Sequence, residues 1–299
     1  MKVLFVTNHI QDYLKDMVYH GLVDSGIEVY ETYPPHYMMD YYLNSDYVVS
    51  SDFVRKFDGN NTKGFTVYCK LNHHPNVESE SDIIEKIKSK FYDIIIYGCI
   101  YTHEWIPNRQ CLDYLEYVKQ YYPKTKVHFL DGSDDPRNFA GEYNLHEYGI
   151  VWKRELYNVE DANQISFAIP ESQFLKEIIT KEKIFGHVVP GYPQTYIFED
   201  EKSYYLDYAK SYYGRTYKKD GWDCLRHYEI LANNCIPYFA DLENCPPHIL
   251  TNFPKSLILE TNKYAMKGKI HPDYEDILEY IFKYAKKNLT TKKMVEVFF

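Results

Sequence analysis

Apolar and polar positions along the 299 residues fall into blocks that read as strand, helix, strand. The chain opens on KVLFVTN (2–8), a β-branched apolar run; YLKDMVYHGLVDSG, ending at Gly26, has helical spacing, and IEVYETY (27–33) returns to strand character. Strand, helix and strand at that spacing make a βαβ unit, which requires parallel pairing. Residues 34 to 80 follow no clean period: FDGNNTKG reads as a turn, TVYCKL (66–71) as a candidate strand, and NHHPNVESESD as a loop into the helix DIIEKIKSKF. Alternation then resumes, with YDIIIYGC (92–99) a strand, RQCLDYLEYVKQYY (109–122) a helix, and KVHFLDG (126–132) a strand. IVWKREL (150–156) and ISFAIP (165–170) are candidates to extend the same sheet.

PESQFLKEIITKEK is a polar connection, and a second α/β pattern follows it. KIFGHVVP (183–190) reads as a strand, EDEKSYYLDYAKSYYG and GWDCLRHYEILANN as helices, CIPYFA (235–240) and SLILE (256–260) as strands, and HPDYEDILEYIFKYAKKNL as a terminal helix. The expected boundary lies between 165 and 182, giving domains 1–170 and 171–299, with the terminal helix able to pack back on the first. Two α/β halves imply a cleft at the carboxyl ends of parallel strands, so strand-end loops are where ligand chemistry is sought.

Composition agrees with a folded chain: 45% apolar and 26% charged residues. A net charge of −9 argues against broad electrostatic attachment to nucleic acid or anionic membrane. The 33 tyrosines are mostly expected as packing residues, ring inward and hydroxyl outward. The first apolar run breaks at Thr7 and Asn8, too soon for a signal-peptide core. No later stretch reaches the roughly 18 apolar residues of a spanning helix, so a cytoplasmic protein without a membrane span is expected. The six cysteines have neither CxxC nor His/Cys ligand spacing, which predicts buried free thiols and no zinc site.

The densest chemistry lies in YKKDGWDCLRHYEILANNCIPYFADLENCPP (217–247). Asp220 is placed to cap a helix with Gly221 and Trp222 in its first turn. At 100° per residue, Trp222, Arg226, Glu229 and Asn233 then share one face, opposite an apolar stripe of Cys224, Leu225, Tyr228, Leu231 and Ala232. A helix start flanked by Lys218, Lys219, Arg215 and Arg226 suits a phosphate or diphosphate, and Glu229 suits sugar hydroxyls. The plainer alternative is a surface helix with an Arg226–Glu229 pair worth a few tenths of a kcal/mol. Spacing alone does not choose between Lys218 with Lys219, Arg226, or both.

GWDCLRHYEILANNCIPYFADLENCPP resembles the donor-binding segment of exostosin-like glycosyltransferases, soluble virus- and phage-type relatives included. The matching elements are Arg226, Glu229, Cys235-Ile236-Pro237, Asp241 and Pro246, within residues 211 to 260; Asn233-Asn234 departs from the glycine-bearing turn of that pattern. The resemblance implies two Rossmann-like domains facing a cleft (the GT-B architecture), the second holding a UDP- or GDP-type sugar as co-substrate. It implies inverting transfer of a hexose or pentose to a glycan or glycoprotein acceptor. Location in host cytoplasm follows if the chain is virus-encoded.

An inverting transfer needs a base for the acceptor hydroxyl, expected at strand ends of the first domain. DGSDDPR offers Asp131, Asp134 and Asp135; YTHEW offers His103 and Glu104; Asn8 is followed by His9. The Asp131–Asp135 loop is preferred, although Asp-Gly is also what a plain turn requires. Lys153 and Arg154 add a phosphate contact or else mark a solvated strand edge. The clustered Asp residues could suggest Mg²⁺ or Mn²⁺, but basic groups at the helix start can neutralise a diphosphate, so metal independence is expected. The competing readings are glycosylation of a DNA base and binding of a nucleotide sugar without turnover.

Overall fold

A computed structural model describes residues 1–8, 11–41, 66–101, 111–137, 139–158 and 162–299. Seven parallel strands form the larger sheet: β1 (Lys2–Val6), β2 (Glu28–Glu31), β3 (Asn76–Val77), β4 (Ile94–Tyr97), β5 (Val127–Asp131), β6 (Ile150–Lys153) and β7 (Asn163–Gln164). Their spatial order is β3-β2-β1-β4-β5-β6-β7. The chain reverses its direction of winding between β1 and β4, the arrangement of a Rossmann-like sheet, and ligands of such sheets sit at that point.

Period-two alternation assigns the two faces of β1. Val3 and Phe5 join one core cluster and Leu4 and Val6 the other, which is why an uninterrupted apolar run is needed in a strand covered on both sides. Helix α1 (Tyr13–Asp24) covers the first face; Asp12 caps it, accepting from Lys15 N at 3.0 Å. Helices α2 (Glu80–Lys88) and α3 (Leu115–Tyr121) cover the second, burying Ile83, Ile87 and Val118. A short helix α4 (Phe139–Glu142) follows β5.

The smaller sheet has three parallel strands, β8 (Lys183–Phe185), β9 (Ser211–Thr216) and β10 (Ile236–Phe239), in the order β10-β9-β8. Around it lie α5 (Glu201–Ala209), α6 (Leu225–Ala232), α7 (Lys255–Ala265) and α8 (Tyr274–Asn288). The first core cluster does not stop between the sheets: it runs from Val3, Phe5 and Leu14 through Phe167 to Trp222, Tyr228 and Phe239. Helix α8, 15 residues long, leads back to the larger sheet, where α9 (Thr291–Val295) packs on α1 and Phe298 lies 5.1 Å from the ring of His128.

Several expected elements are corrected. SLILE is not a strand but the start of α7, whose buried residues Ile258, Thr261, Asn262 and Ala265 have helical spacing that a five-residue window cannot display. The central strand β9 was expected as the end of the preceding helix; α5 stops at Ala209, and Gly214 of β9 lets α6 approach, since a Cβ there would lie 2.8 Å from Ile230. TVYCKL forms turns, with Thr66 and Cys69 at φ of 81° and 54°. ISFAIP lies beyond β7 and leads out of the sheet, its Ile169 bridging to Thr290. Of the described helices, none is long and apolar enough to cross a membrane. All six cysteines are free thiols.

Candidate functional site

The connection between β9 and α6 packs on the carboxyl ends of β5 and β6. Helix α6 does not begin where the pattern placed it. It starts at Leu225 with Cys224 as an N-cap that offers no side-chain hydrogen bond. Asp220 is exposed and caps nothing; Lys218 Nζ donates to the carbonyls of Lys219 and Asp220 at 3.2 and 3.1 Å, holding the segment as a loop. The loop is also tied by Lys218 N to the Asp241 carboxylate at 3.3 Å, and by Asp223 N to Glu155 Oε1 at 2.9 Å.

The later start moves Trp222 off the helix. Its side chain is buried in the core beside Phe239, and its carbonyl accepts from His227 Nε2 at 2.8 Å. Glu229 and Asn233 are buried rather than ranged along an open polar stripe, because the second sheet and α5 cover that side of α6. The Arg226–Glu229 pair of the plainer alternative does not form among the described residues. Glu229 accepts from Thr66 Oγ1 at 2.5 Å and from the Tyr204 hydroxyl at 2.8 Å. Burial raises its pKa against the opposing pull of those two hydrogen bonds and of Arg226.

Arg226 stands differently. It is part-buried, its Nε is out of solvent contact with no hydrogen-bond partner, and one terminal nitrogen lies 3.5 Å from the Tyr196 hydroxyl. It makes no ion pair among the described residues. Burial opposes its charge, and Tyr204, Tyr208, Tyr196 and Glu229 around it outweigh that and raise its pKa. A guanidinium has five donors, so a site that leaves most of them unused suits an incoming anion.

Asp131, at the end of β5, is fully buried. It accepts from Ser133 Oγ at 2.6 Å and from Lys153 Nζ at 2.9 Å. Asp134 is half exposed and pairs with Arg154. β6 lies between β5 and β7, so Lys153 and Arg154 are not on a solvated edge: both are buried. The Arg154 guanidinium donates to the Gly132 carbonyl at 3.1 Å, to Glu155 Oε1 at 2.8 Å, to the Asp223 carbonyl and to Asp134, and it lies 4.5 Å from the centroid of Phe167. It thereby ties the ends of β5 and β6 to the loop before α6.

Gly221 fits into this cluster because it has no side chain: a Cβ would lie 2.6 Å from both Asp134 Oδ1 and Glu155 Oε1. Asp223 accepts from Phe167 N at 2.7 Å, and burial pushes its carboxyl up to about 7 with Arg154 opposing. Arg215, on β9, donates to the Gly186 carbonyl at 3.0 Å and stacks 4.1 Å over Phe185. Lys219 is exposed, 3.8 Å from Asp220. Asp135 accepts from the Arg137 side chain, which holds its pKa down.

Several groups that the pattern did not single out also meet here. Asp12, Tyr13, Lys15 and Asp16 start α1 at the switch point. Asp16 accepts from the hydroxyls of Tyr37 at 2.7 Å and Tyr68 at 3.1 Å, and burial pushes it to about 6 despite Lys15. Tyr13 is pushed above the usual phenol range by burial first, then by the nearby charges of Glu229 and Asp16. The visible signal was a Lys-Asp pair on the apolar face of a helix that follows the first strand. Glu155 adjoined Lys153 and Arg154, and Thr66 gave no signal at all. His9, His103 and Glu104 lie outside the described residues. No known family profile matches the chain, and no curated protein sequence aligns with it significantly.

Proposed function

We propose that the protein is a glycosyltransferase that takes a sugar from a nucleoside-diphosphate donor, with the diphosphate on Arg226. The observation that carries this reading is the state of Arg226: a cation with its Nε withdrawn from water, no carboxylate paired to it among the described residues, and donors left over. The Rossmann-like order of the larger sheet supports a ligand site at the carboxyl ends of its strands, where the loop before α6 meets the ends of β5 and β6. The resemblance of residues 211 to 260 to exostosin-like enzymes supplies the sugar.

In the proposed reaction an acceptor hydroxyl attacks the anomeric carbon, the bond from that carbon to the diphosphate oxygen breaks, and the hydroxyl proton passes to a base. Arg226 stabilises the charge that develops on the departing diphosphate, so no metal is required for that step. Of the described candidates, Asp134 and Asp135 are the carboxylates with solvent access, paired with Arg154 and Arg137, while Asp131 is held by Lys153 and Ser133. That all three are ion-paired favours a second reading, in which the protein binds a nucleotide sugar without turning it over.

The test is transfer and hydrolysis with a panel of UDP- and GDP-sugars on a glycan acceptor, with and without EDTA. Arg226→Ala is expected to weaken donor binding by about a hundredfold, the loss of a charge-assisted pair. Wild-type activity is expected to survive EDTA. Donor affinity unaffected by Arg226→Ala would remove the reading, and binding without product would favour the second one.

A further inference from the structure

Arg226 is bordered by a group of tyrosines that the core does not use up. Tyr192 is 55% exposed, and Tyr196 and Tyr217 are half-buried beside it. The Tyr217 hydroxyl lies against Gly191, the chain neighbour of Tyr192, and the Tyr196 hydroxyl lies 3.5 Å from a terminal nitrogen of Arg226.

The segment that carries Tyr192 and Tyr196 is built tightly. The Thr195 hydroxyl accepts from Val189 N at 2.9 Å and lies 2.8 Å from the Tyr192 carbonyl, Tyr192 N donates to the Val189 carbonyl at 3.1 Å, and Tyr196 N donates to that of Pro193 at 3.0 Å. Gly191 takes φ of +77°, which side-chain-bearing residues rarely adopt, and lies against the Tyr217 hydroxyl. Its N–H donates to the Tyr196 hydroxyl at 3.2 Å, the same oxygen that lies 3.5 Å from Arg226. The backbone of this segment and the Tyr196 hydroxyl are therefore held before any ligand arrives, and that hydroxyl is registered to the cation.

A cation with spare donors beside partly exposed tyrosines carried on a held segment matches a molecule that is anionic at one end and planar at the other. We propose that Tyr192, Tyr196 and Tyr217 form the platform for the base of a nucleotide whose phosphates lie on Arg226. This rests on the reading of Arg226 as the diphosphate site. Ring faces accept any base, because every base has a π-face, whereas discrimination requires hydrogen bonds to base edges. The site accordingly tolerates both pyrimidine and purine, and the identity of the donor is selected at the sugar.

The experiment titrates the full chain with inorganic pyrophosphate, UDP and GDP by calorimetry. Wild type is expected to bind UDP and GDP within about tenfold of each other, and both at least about tenfold more tightly than pyrophosphate. Tyr192→Ala, at an exposed position, should erase most of the advantage of UDP over pyrophosphate and leave pyrophosphate affinity unchanged; Tyr192→Phe should restore it, because the ring face remains. A Tyr192→Ala variant that weakens all three ligands equally, or none, overturns the platform. So does a preference of more than about a hundredfold for one base, which stacking cannot supply. Arg226→Ala with unaltered pyrophosphate affinity overturns the diphosphate reading instead, and absence of binding by every probe overturns both.

Discussion

Arg154 shows how much one residue can be asked to hold. It is a single buried cation among Asp134, Glu155 and Asp223, and its donors also reach the carbonyls of Gly132 and Asp223. Burial alone would disfavour its charge; the three carboxylates reverse that and raise its pKa. Removing the guanidinium leaves Glu155 and Asp223 buried without their counter-charge, which costs far more than the pair contributes over an apolar replacement. Arg154→Met is therefore expected to destabilise the fold by about 3–5 kcal/mol, read from urea unfolding midpoints at constant m. Arg154→Lys should lose less, since the charge remains while the fork that spans four acceptors is gone. A loss below about 1 kcal/mol for the Met variant would mean that the carboxylates are already solvated or protonated.

At the scale of elements, the contact that closes the chain is α9 on α1. Gly21 of α1 lies against the Thr291 carbonyl, and a Cβ there would also lie 2.8 Å from Val295 Cγ1. Backbone atoms cannot swing aside as a side chain can, so overpacking there must separate the two helices. Gly21→Ala should cost about 1–3 kcal/mol despite the better helix propensity of alanine, and should speed amide exchange in 289–299 before the rest of the protein. Stabilisation by the substitution would show that α9 is only loosely held.

The same elements explain what the sequence could disclose. β1, β4 and β5 were legible because strands buried on both faces are plain apolar runs. β9 was not, because its tyrosines continue those of α5 and nothing local separates helix from strand there. The chain position of Arg226 and Glu229 was legible from pattern and resemblance, but the start of α6 was not. Asp220 looked like a cap, and the choice of Cys224 instead depends on Asp241 and Glu155, which approach from distant strands. One of the two partners of Glu229 is Thr66, 163 residues away, a contact no local period can encode.

For the molecule as a whole, pH sets two groups of buried residues against each other. His20 and His128 are pushed down from 6.5 to about 4 and His227 to about 3, in each case by burial. His227 is satisfied as a neutral ring, Nε2 donating to the Trp222 carbonyl and Nδ1 accepting from Thr216 at 2.9 Å. Between about pH 4 and 6.5 the unfolded chain therefore binds protons that the native histidines refuse, and stability from this source rises with pH. Asp16 and Asp223 act in the opposite sense. Burial raises them from 3.8 to about 6 and about 7, so the native state holds protons that the unfolded chain releases, and stability from this source falls over nearly the same window. Glu229, whose carboxyl burial also raises, adds to the falling side, and the expectation is that the three imidazoles, each refusing a proton across most of this window, outweigh the carboxyls. The thermal unfolding midpoint is expected to climb from pH 4.5 to 6.5. Asp223→Asn removes an opposing contribution while keeping an acceptor for Phe167 N, and should steepen the climb; His227→Asn should flatten it. A midpoint that falls across this window, or an Asp223→Asn variant with the wild-type slope, would show that the carboxyls are ionised in the fold and that Arg154 holds them so.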